Sequence, residues 1–199
     1  MPPTLRQRIE DGPASYALIG LFIVAFLATS LDPEQRLFAL FAKVNERVLA
    51  GEVWRLVTAS FLHGGLAHLA FNSMALASVG PSIERLYGRP RFLLVFLGGG
   101  AVGMAASVAF VPNPSVGASA GIFALFGALL GFAVRARRRL TPQARRLILQ
   151  DVGWVVALNV GLGFMSGYID NAAHLGGLAA GVALGLALRE RPSPALRQG

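Results

Sequence analysis

The sequence predicts an all-α polytopic membrane protein, a bundle of six transmembrane helices with an amphipathic, interfacial first loop. Three observations predict it. Of 199 residues 54% are hydrophobic and only 14% charged, against about 25% charged in a typical soluble domain, and mean hydropathy is +0.58. The apolar residues form blocks that approach the roughly 20 residues needed to cross a bilayer core. The basic residues fall on alternate connections between those blocks, the pattern by which cytoplasmic loops are marked.

Taken in order, residues 1–14 read as a cytoplasmic segment, 15–188 as the membrane domain and 189–199 as a cytoplasmic tail. The spans fall at about 15–31, 60–79, 92–111, 118–134, 147–165 and 171–188. The first lacks a clean small-residue cleavage site and reads as a retained helix rather than a signal peptide. Residues 31–57 mix Asp32, Glu34, Arg36, Lys43, Glu46, Arg47, Glu52 and Arg55 with Leu37-Phe38-Ala39-Leu40-Phe41. That composition predicts short helices lying in the membrane interface. Residues 80–91 read as a polar turn, Gly98-Gly99-Gly100 as a loosening of the third span, and Pro112-Asn113-Pro114-Ser115 as the break before the fourth. Six spans place fourteen of the 18 Lys and Arg residues on one side and only Arg36, Lys43, Arg47 and Arg55 on the other. Both termini are therefore expected in the cytoplasm.

The net charge of +8 is explained by these loops, so no nucleic-acid partner is expected. Arg135–Arg146 is an orientation signal that also meets anionic lipid head groups. Cysteine is absent, which excludes a disulfide framework, a thiolate zinc site and a cysteine nucleophile. No His-Glu-x-x-His occurs, so neither a metal nor another cofactor is expected.

The same topology brings chemistry to one depth. Ser119 follows the 112–117 turn, His174 follows the fifth-to-sixth turn, and His68 and Asn72 enter the second span from that same, non-cytoplasmic face. Ser119 stands at a helix start, where backbone N–H groups lack partners and the dipole favours an anion. A serine among glycines is also a common cap or packing residue in membrane helices. His174 shares a face with Gly177, Gly181 and Gly185, a stripe that admits another helix closely. An ionisable group inside a membrane is costly and points to function, although a histidine bonded to a backbone carbonyl is the competing reading. His68 and Asn72 are i and i+4, on one face, and suit donors to an oxyanion or plain interhelical bonds. His63 lies five residues earlier, about 140° around the helix. Asp151 and Asp170 are separated by a span roughly 28 Å long, which excludes a proton-sharing aspartyl pair. Glu84 reads as a structural cap or a partner of nearby arginines.

These residues resemble the rhomboid family of intramembrane serine proteases across most of the chain, Glu52 to Gly185. Glu52-Val53-Trp54-Arg55 is similar to the family's Trp-Arg element. His63-x4-His68-x3-Asn72, Glu84-x3-Gly88, Gly117-x-Ser119 and Ala173-His174-x2-Gly177-x3-Gly181 match further motifs in order. The resemblance implies a Ser–His dyad: Ser119 as nucleophile and His174 as general base, then acid. It implies an oxyanion hole from His68, Asn72 and the Ser119 backbone N–H, with Gly117, Phe123, His63, Gly177 and Gly181 in support. It further implies that the partners are transmembrane segments of other proteins, approaching sideways and unwinding. Two positions depart from the pattern: Ala120 where many members have glycine, and Phe123 where many have a tyrosine over the base. Neither removes a catalytic atom. Phe164-Met165-Ser166-Gly167 is expected to form a flexible cap over the site. The rival expectations are a small transporter or channel using the same polar groups, and a non-catalytic membrane binding module. The setting that fits best is a prokaryotic inner membrane with the site near the outer face.

Overall fold

The computed structural model describes residues 5–166 and 169–191. Residues 1–4 and 192–199, at the ends of the two expected cytoplasmic segments, and Gly167 of the expected cap lie outside the described residues. The described chain is built from helices joined by short non-helical connections: α1 (Leu5–Asp11), α2 (Pro13–Ser30), α3 (Arg36–Phe41), α4 (Asn45–Leu49), α5 (Arg55–Thr58), α6 (Leu66–Tyr87), α7 (Arg89–Leu93), α8 (Gly99–Phe110), α9 (Ser119–Arg135), α10 (Pro142–Ser166) and α11 (Asn171–Ala187). A π-turn, Leu94–Gly98, joins α7 to α8 without a break in the rod.

Among the described residues three helical stretches are long and apolar enough to cross a membrane: Pro13–Ser30, Arg89–Phe110 and Pro142–Met165. The helices α9 and α11 are apolar but only 17 residues each. α6 has the length, 22 residues, but carries His68, Asn72, Glu84 and Arg85. Large apolar side chains such as Val24 on α2, Phe71 on α6 and Trp154 on α10 are exposed. In water such a surface would be a liability; in lipid it is the expected outer face.

α6 differs from the second span read in the sequence. It begins at Leu66 rather than near residue 60, because Ala59–Phe61 forms a separate 3-10 turn and residues 62–65, including His63-Gly64-Gly65, run non-helically into the helix. It also continues through the expected turn at residues 80–87 and tolerates Pro81 in its interior. Small residues at the start of α2 pack closely there: a Cβ on its N-cap Gly12 would fall 2.7 Å from Pro81 Cβ, and one on Gly80 would fall 2.9 Å from Ser15 Cβ. Glu84 is buried and accepts the Ala14 and Ser15 N–H groups, each at 3.1 Å, and the Ser15 hydroxyl. It thereby serves as a remote cap for α2, whose own N-cap is Gly12 with no side-chain acceptor. Arg89 lies 3.4 Å from the same carboxylate. The helix ends at Gly88, whose φ of 81° is the left-handed geometry glycine supplies at a helix terminus.

The first loop contains α3, α4 and α5, with Leu40, Leu49, Val53 and Trp54 exposed, as an interfacial segment requires. Its fold is held by Arg55, which is buried, pairs with Glu52 at 2.5 Å and donates to the Ala42 carbonyl at 2.8 Å. Phe164 and Met165 belong to the last turn of α10 and are exposed.

α9 sits at the centre, buried over most of its length, and runs parallel to α11. Their contact is backbone against backbone: Gly177, Gly181 and Gly185 oppose Ala120, Ala124 and Ala128 in step, while Gly127 and Gly131 of α9 meet α11 backbone at residues 178–186. A Cβ on Gly181 would lie 2.7 Å from Ala124 Cα, whereas one on Gly20 would meet nothing. Gly181→Ala is therefore expected to destabilise the fold by about 1–3 kcal/mol, and Gly20→Ala to be neutral or slightly stabilising. Thermal unfolding of the two variants in detergent micelles checks the contrast.

Candidate active site

Ser119 is the first residue of α9, half-buried, with Ala118 as N-cap in an ordinary helical conformation. The approach to it is fixed by Gly117. Its N–H donates to the Ala59 carbonyl at 2.9 Å, and its φ is +121°. Only glycine holds that backbone readily. Space demands glycine a second time, because a Cβ there would stand 2.6 Å from both Cε1 and Nε2 of His68 and 3.7 Å from Nδ2 of Asn72. The small residue is what lets donors from α6 approach the turn that delivers Ser119.

His68, in the first turn of α6, receives the Gly64 N–H on Nδ1 at 3.4 Å. An imidazole accepting on one nitrogen carries its proton on the other, and Nε2 is the nitrogen facing Gly117. Asn72 is buried and gives one amide hydrogen to the His68 carbonyl at 3.0 Å; the amide has a second to give. His63 does not start this helix. It lies in the preceding non-helical segment, wedged between Phe22 of α2 and His68 with ring centroids 5.2 Å from each, and both its ring nitrogens are buried without a hydrogen-bond partner.

His174 stands in the first turn of α11 and is 4% exposed. Phe123, one turn along α9 from Ser119, stacks flat on its ring, centroids 4.2 Å apart and planes 14° from parallel. The missing phenol hydroxyl at that position leaves the stacking intact. Gly177, one turn after His174, lies against Ala120, and Gly103 of α8 fits where both helices meet, its would-be Cβ 2.9 Å from Gly177 N and 3.1 Å from Ala120 Cβ. Among the described residues Ser119 and His174 are not joined by a hydrogen bond. Their elements are joined instead by the ring stack and the glycine contacts, and catalytic hydrogen bonds commonly tighten only once substrate is bound.

Other polar residues are part of this end of the bundle. Asp170 is the N-cap of α11, its Oδ1 accepting the Ala173 N–H at 2.9 Å. Its Oδ2 accepts the hydroxyls of Ser107 on α8 and Ser115 in the 111–118 turn. Lys43, in the first loop, is fully buried and donates to the carbonyls of Val111 at 3.0 Å and Asn113 at 2.9 Å. Burial pushes its ammonium below the usual lysine range, an effect opposed by the charges of Asp170 and Glu46. An aspartate just before Asn171-Ala172-Ala173-His174 is an N-cap signature and was available in the sequence. A lone lysine in an amphipathic loop carries no such signal. Asp151 lies on α10, exposed, and has no part in the site. No group of three or more His, Cys, Asp or Glu suited to a metal ion occurs among the described residues.

An all-helical membrane bundle with Gly-x-Ser at one helix start and a histidine on a parallel, glycine-packed neighbour defines a class, and the comparisons with known proteins place the chain in it. The sequence model of the Rhomboid domain matches residues 50–191. Rhomboid protease GluP of Bacillus subtilis (strain 168) is 42% identical over 180 residues, covering 86% of this chain and 35% of that protein. YdcA of the same organism is 39% identical over 145 residues, 70% of this chain and 69% of its own length. RHOMBOID-like protein 4 of Arabidopsis thaliana is 37% identical over 155 residues, 75% of this chain and 37% of that protein. The chain belongs to the rhomboid family and is an integral membrane protein. It spans about a third of the length of GluP and of the Arabidopsis protein.

The stack on His174 has a direct test. Phe123→Ala removes the face that shields the ring, and the rate of diethylpyrocarbonate modification of His174, read by mass spectrometry, is expected to rise severalfold with the helical circular dichroism unchanged.

Proposed function

We propose that this chain is an intramembrane serine endopeptidase that cleaves transmembrane segments of other membrane proteins. The observation that carries it is the convergence of two helices on the start of α9: α11 brings His174 under Phe123, while α6 brings His68 Nε2 and Asn72 Nδ2 against Gly117. That the relative GluP is a rhomboid protease supports peptide hydrolysis as the activity.

In this reading the Ser119 hydroxyl attacks the scissile carbonyl carbon while His174 takes its proton. The oxygen that becomes negative lies at the helix start, where the Ser119 N–H, His68 Nε2–H and the free Asn72 hydrogen donate to it. Collapse of the tetrahedral intermediate breaks the C–N bond, and His174 returns the proton to the leaving amine. Water, deprotonated by the same histidine, then attacks the acyl-serine ester; as the acyl C–O bond breaks, His174 returns that proton to the Ser119 oxygen and the acid product leaves. No carboxylate takes part at the base. The ring stack and the tight α9–α11 contact hold the imidazole where a triad would use a third residue.

The orientation belongs to the same proposal. All six long helical segments cross the membrane, α9 and α11 as short spans, with both termini cytoplasmic and the Ser119 end near the outer face. The charge asymmetry of the loops supports this, and a prokaryotic inner membrane is the fitting location. Substrate helices must unwind to offer a carbonyl, so helix-breaking residues near the scissile bond favour cleavage. The exposed Phe164 and Met165 at the end of α10 suit a cover over the site.

Ser119→Ala and His174→Ala are each expected to lower cleavage of a reconstituted transmembrane substrate by at least about 10³-fold without loss of folding. A transporter or binding module would be indifferent to Ser119→Ala, so unchanged behaviour of that variant overturns the reading. Asn72→Ala is expected to cost about 10²-fold in kcat, with KM nearly constant, measured on the same substrate.

A further inference from the structure

Asp170 has no role in the Ser119–His174 chemistry, yet three donors from three separate elements converge on it. Ala173 N–H belongs to the first turn of α11, one residue before His174. The Ser107 hydroxyl comes from α8, where the side chain is fully buried. The Ser115 hydroxyl comes from the turn that reaches Ser119 four residues later. Beyond Ser115 the connection continues into the first loop, since Ser115 and Lys43 exchange both backbone hydrogen bonds at 3.0 Å. The Lys43 ammonium closes the far side of the same turn through Val111 and Asn113, and Asn45 Nδ2 adds bonds to the Val108 and Val111 carbonyls at 3.1 and 3.0 Å. One carboxylate thus stands between the helix that carries the histidine and the turn that carries the serine.

We propose that Asp170 is a positioning residue for the hydrolysis, its carboxylate setting the distance and register between the start of α11 and the turn leading into Ser119. This rests on the Ser119–His174 reading above. The chemistry suits an aspartate. A carboxylate accepts through both oxygens and donates nothing, so it holds three donors at once, and its charge is favoured at the N-terminus of α11. The glycine seam fixes α9 against α11 from the Ala120–Gly177 contact onward, and Phe123 steadies the imidazole. The entry to α11 at residues 170–173 and the turn that leads into Ser119 lie beyond that contact, and the bonds of Asp170 tie them to each other. Geometry is worth a great deal at that point, since a displacement near 1 Å costs about 10²-fold in rate.

A plain helix cap would show the same Ala173 bond, so the test separates the two oxygens of Asp170. The double variant Ser107→Ala/Ser115→Ala keeps the cap and removes the tie, while Asp170→Asn keeps one acceptor for Ala173 and a similar shape. The full chain is assayed in proteoliposomes for kcat and KM on a transmembrane substrate. Thermal unfolding and the second-order rate of Ser119 labelling by a fluorophosphonate are read alongside. For the double variant kcat and labelling are expected to fall together by about 10–100-fold, with KM within about twofold of wild type and the thermal midpoint close to it; Asp170→Asn is expected to fall less than Asp170→Ala. Wild-type kcat and labelling in the double variant, or a loss that tracks the thermal midpoint alone, overturns the proposal and leaves Asp170 a cap. A wild-type protein whose Ser119 does not label, and whose cleavage survives Ser119→Ala, overturns the dyad reading itself and this inference with it.

Discussion

The α9–α11 contact is the constraint on which everything else depends. Two helices whose backbones touch along five glycines have no side chains to spare at the interface, so no side-chain rearrangement can absorb a shift between them. In a membrane, where apolar association is not driven by water, such close approach is a main source of helix affinity. The consequence for the site is register. With Ala120 against Gly177, the first turn of α9 faces the first turn of α11, and Ser119 and His174 are assigned to the same end of the molecule. Phe123 then completes the arrangement from within α9 by lying flat on the imidazole.

A second layer of order is polar and sits at helix ends. Glu84 caps α2 from a distance, Asp170 caps α11 locally, and Arg55 and Lys43 satisfy carbonyls of the first loop and the 111–115 turn. Glu84, Arg55 and Lys43 are buried and Asp170 is half-buried, and each is paired with backbone groups that would otherwise be orphaned where the chain enters and leaves the bundle. In lipid an unpaired backbone group costs several kcal/mol, so these residues supply at the ends what the helix ladder supplies in the middle. The first loop, though it lies outside the helical rods, is fastened into the site by this means.

Legibility in the sequence followed the range of the interactions. Ser119 at a helix start, His174 on a glycine face and the shared face of His68 and Asn72 are one-turn patterns, and the structure places His68 and Asn72 at Gly117 and His174 beneath Phe123. The structure departs from the sequence expectation where packing overrides a local signal. Gly80 and Pro81 looked like the end of α6, but α2 lies against them and the helix runs on to Tyr87. His63 looked like the beginning of the same helix, but Gly64 and Gly65 follow it and the helix starts at Leu66, leaving His63 as a wedge between Phe22 and His68. In the sequence Asp170 suggests a site role only as half of a carboxylate pair with Asp151, which distance excludes. Its neighbours Ser107 and Ser115 are 63 and 55 residues away, and no spacing rule reaches that far.

By itself the sequence determined the solvent, the helical class and the candidate site residues, because apolar block length, loop charge and helix periodicity are local properties of a chain meeting a bilayer. The tertiary structure alone decided which glycines are contacts and which merely face lipid, as the contrast between Gly181 and Gly20 shows. It also decided why position 117 admits no side chain, since the obstacle is an imidazole from another helix. The physical reason is the same in each case. Excluded volume and hydrogen bonding between distant segments depend on coordinates that no single turn of helix specifies.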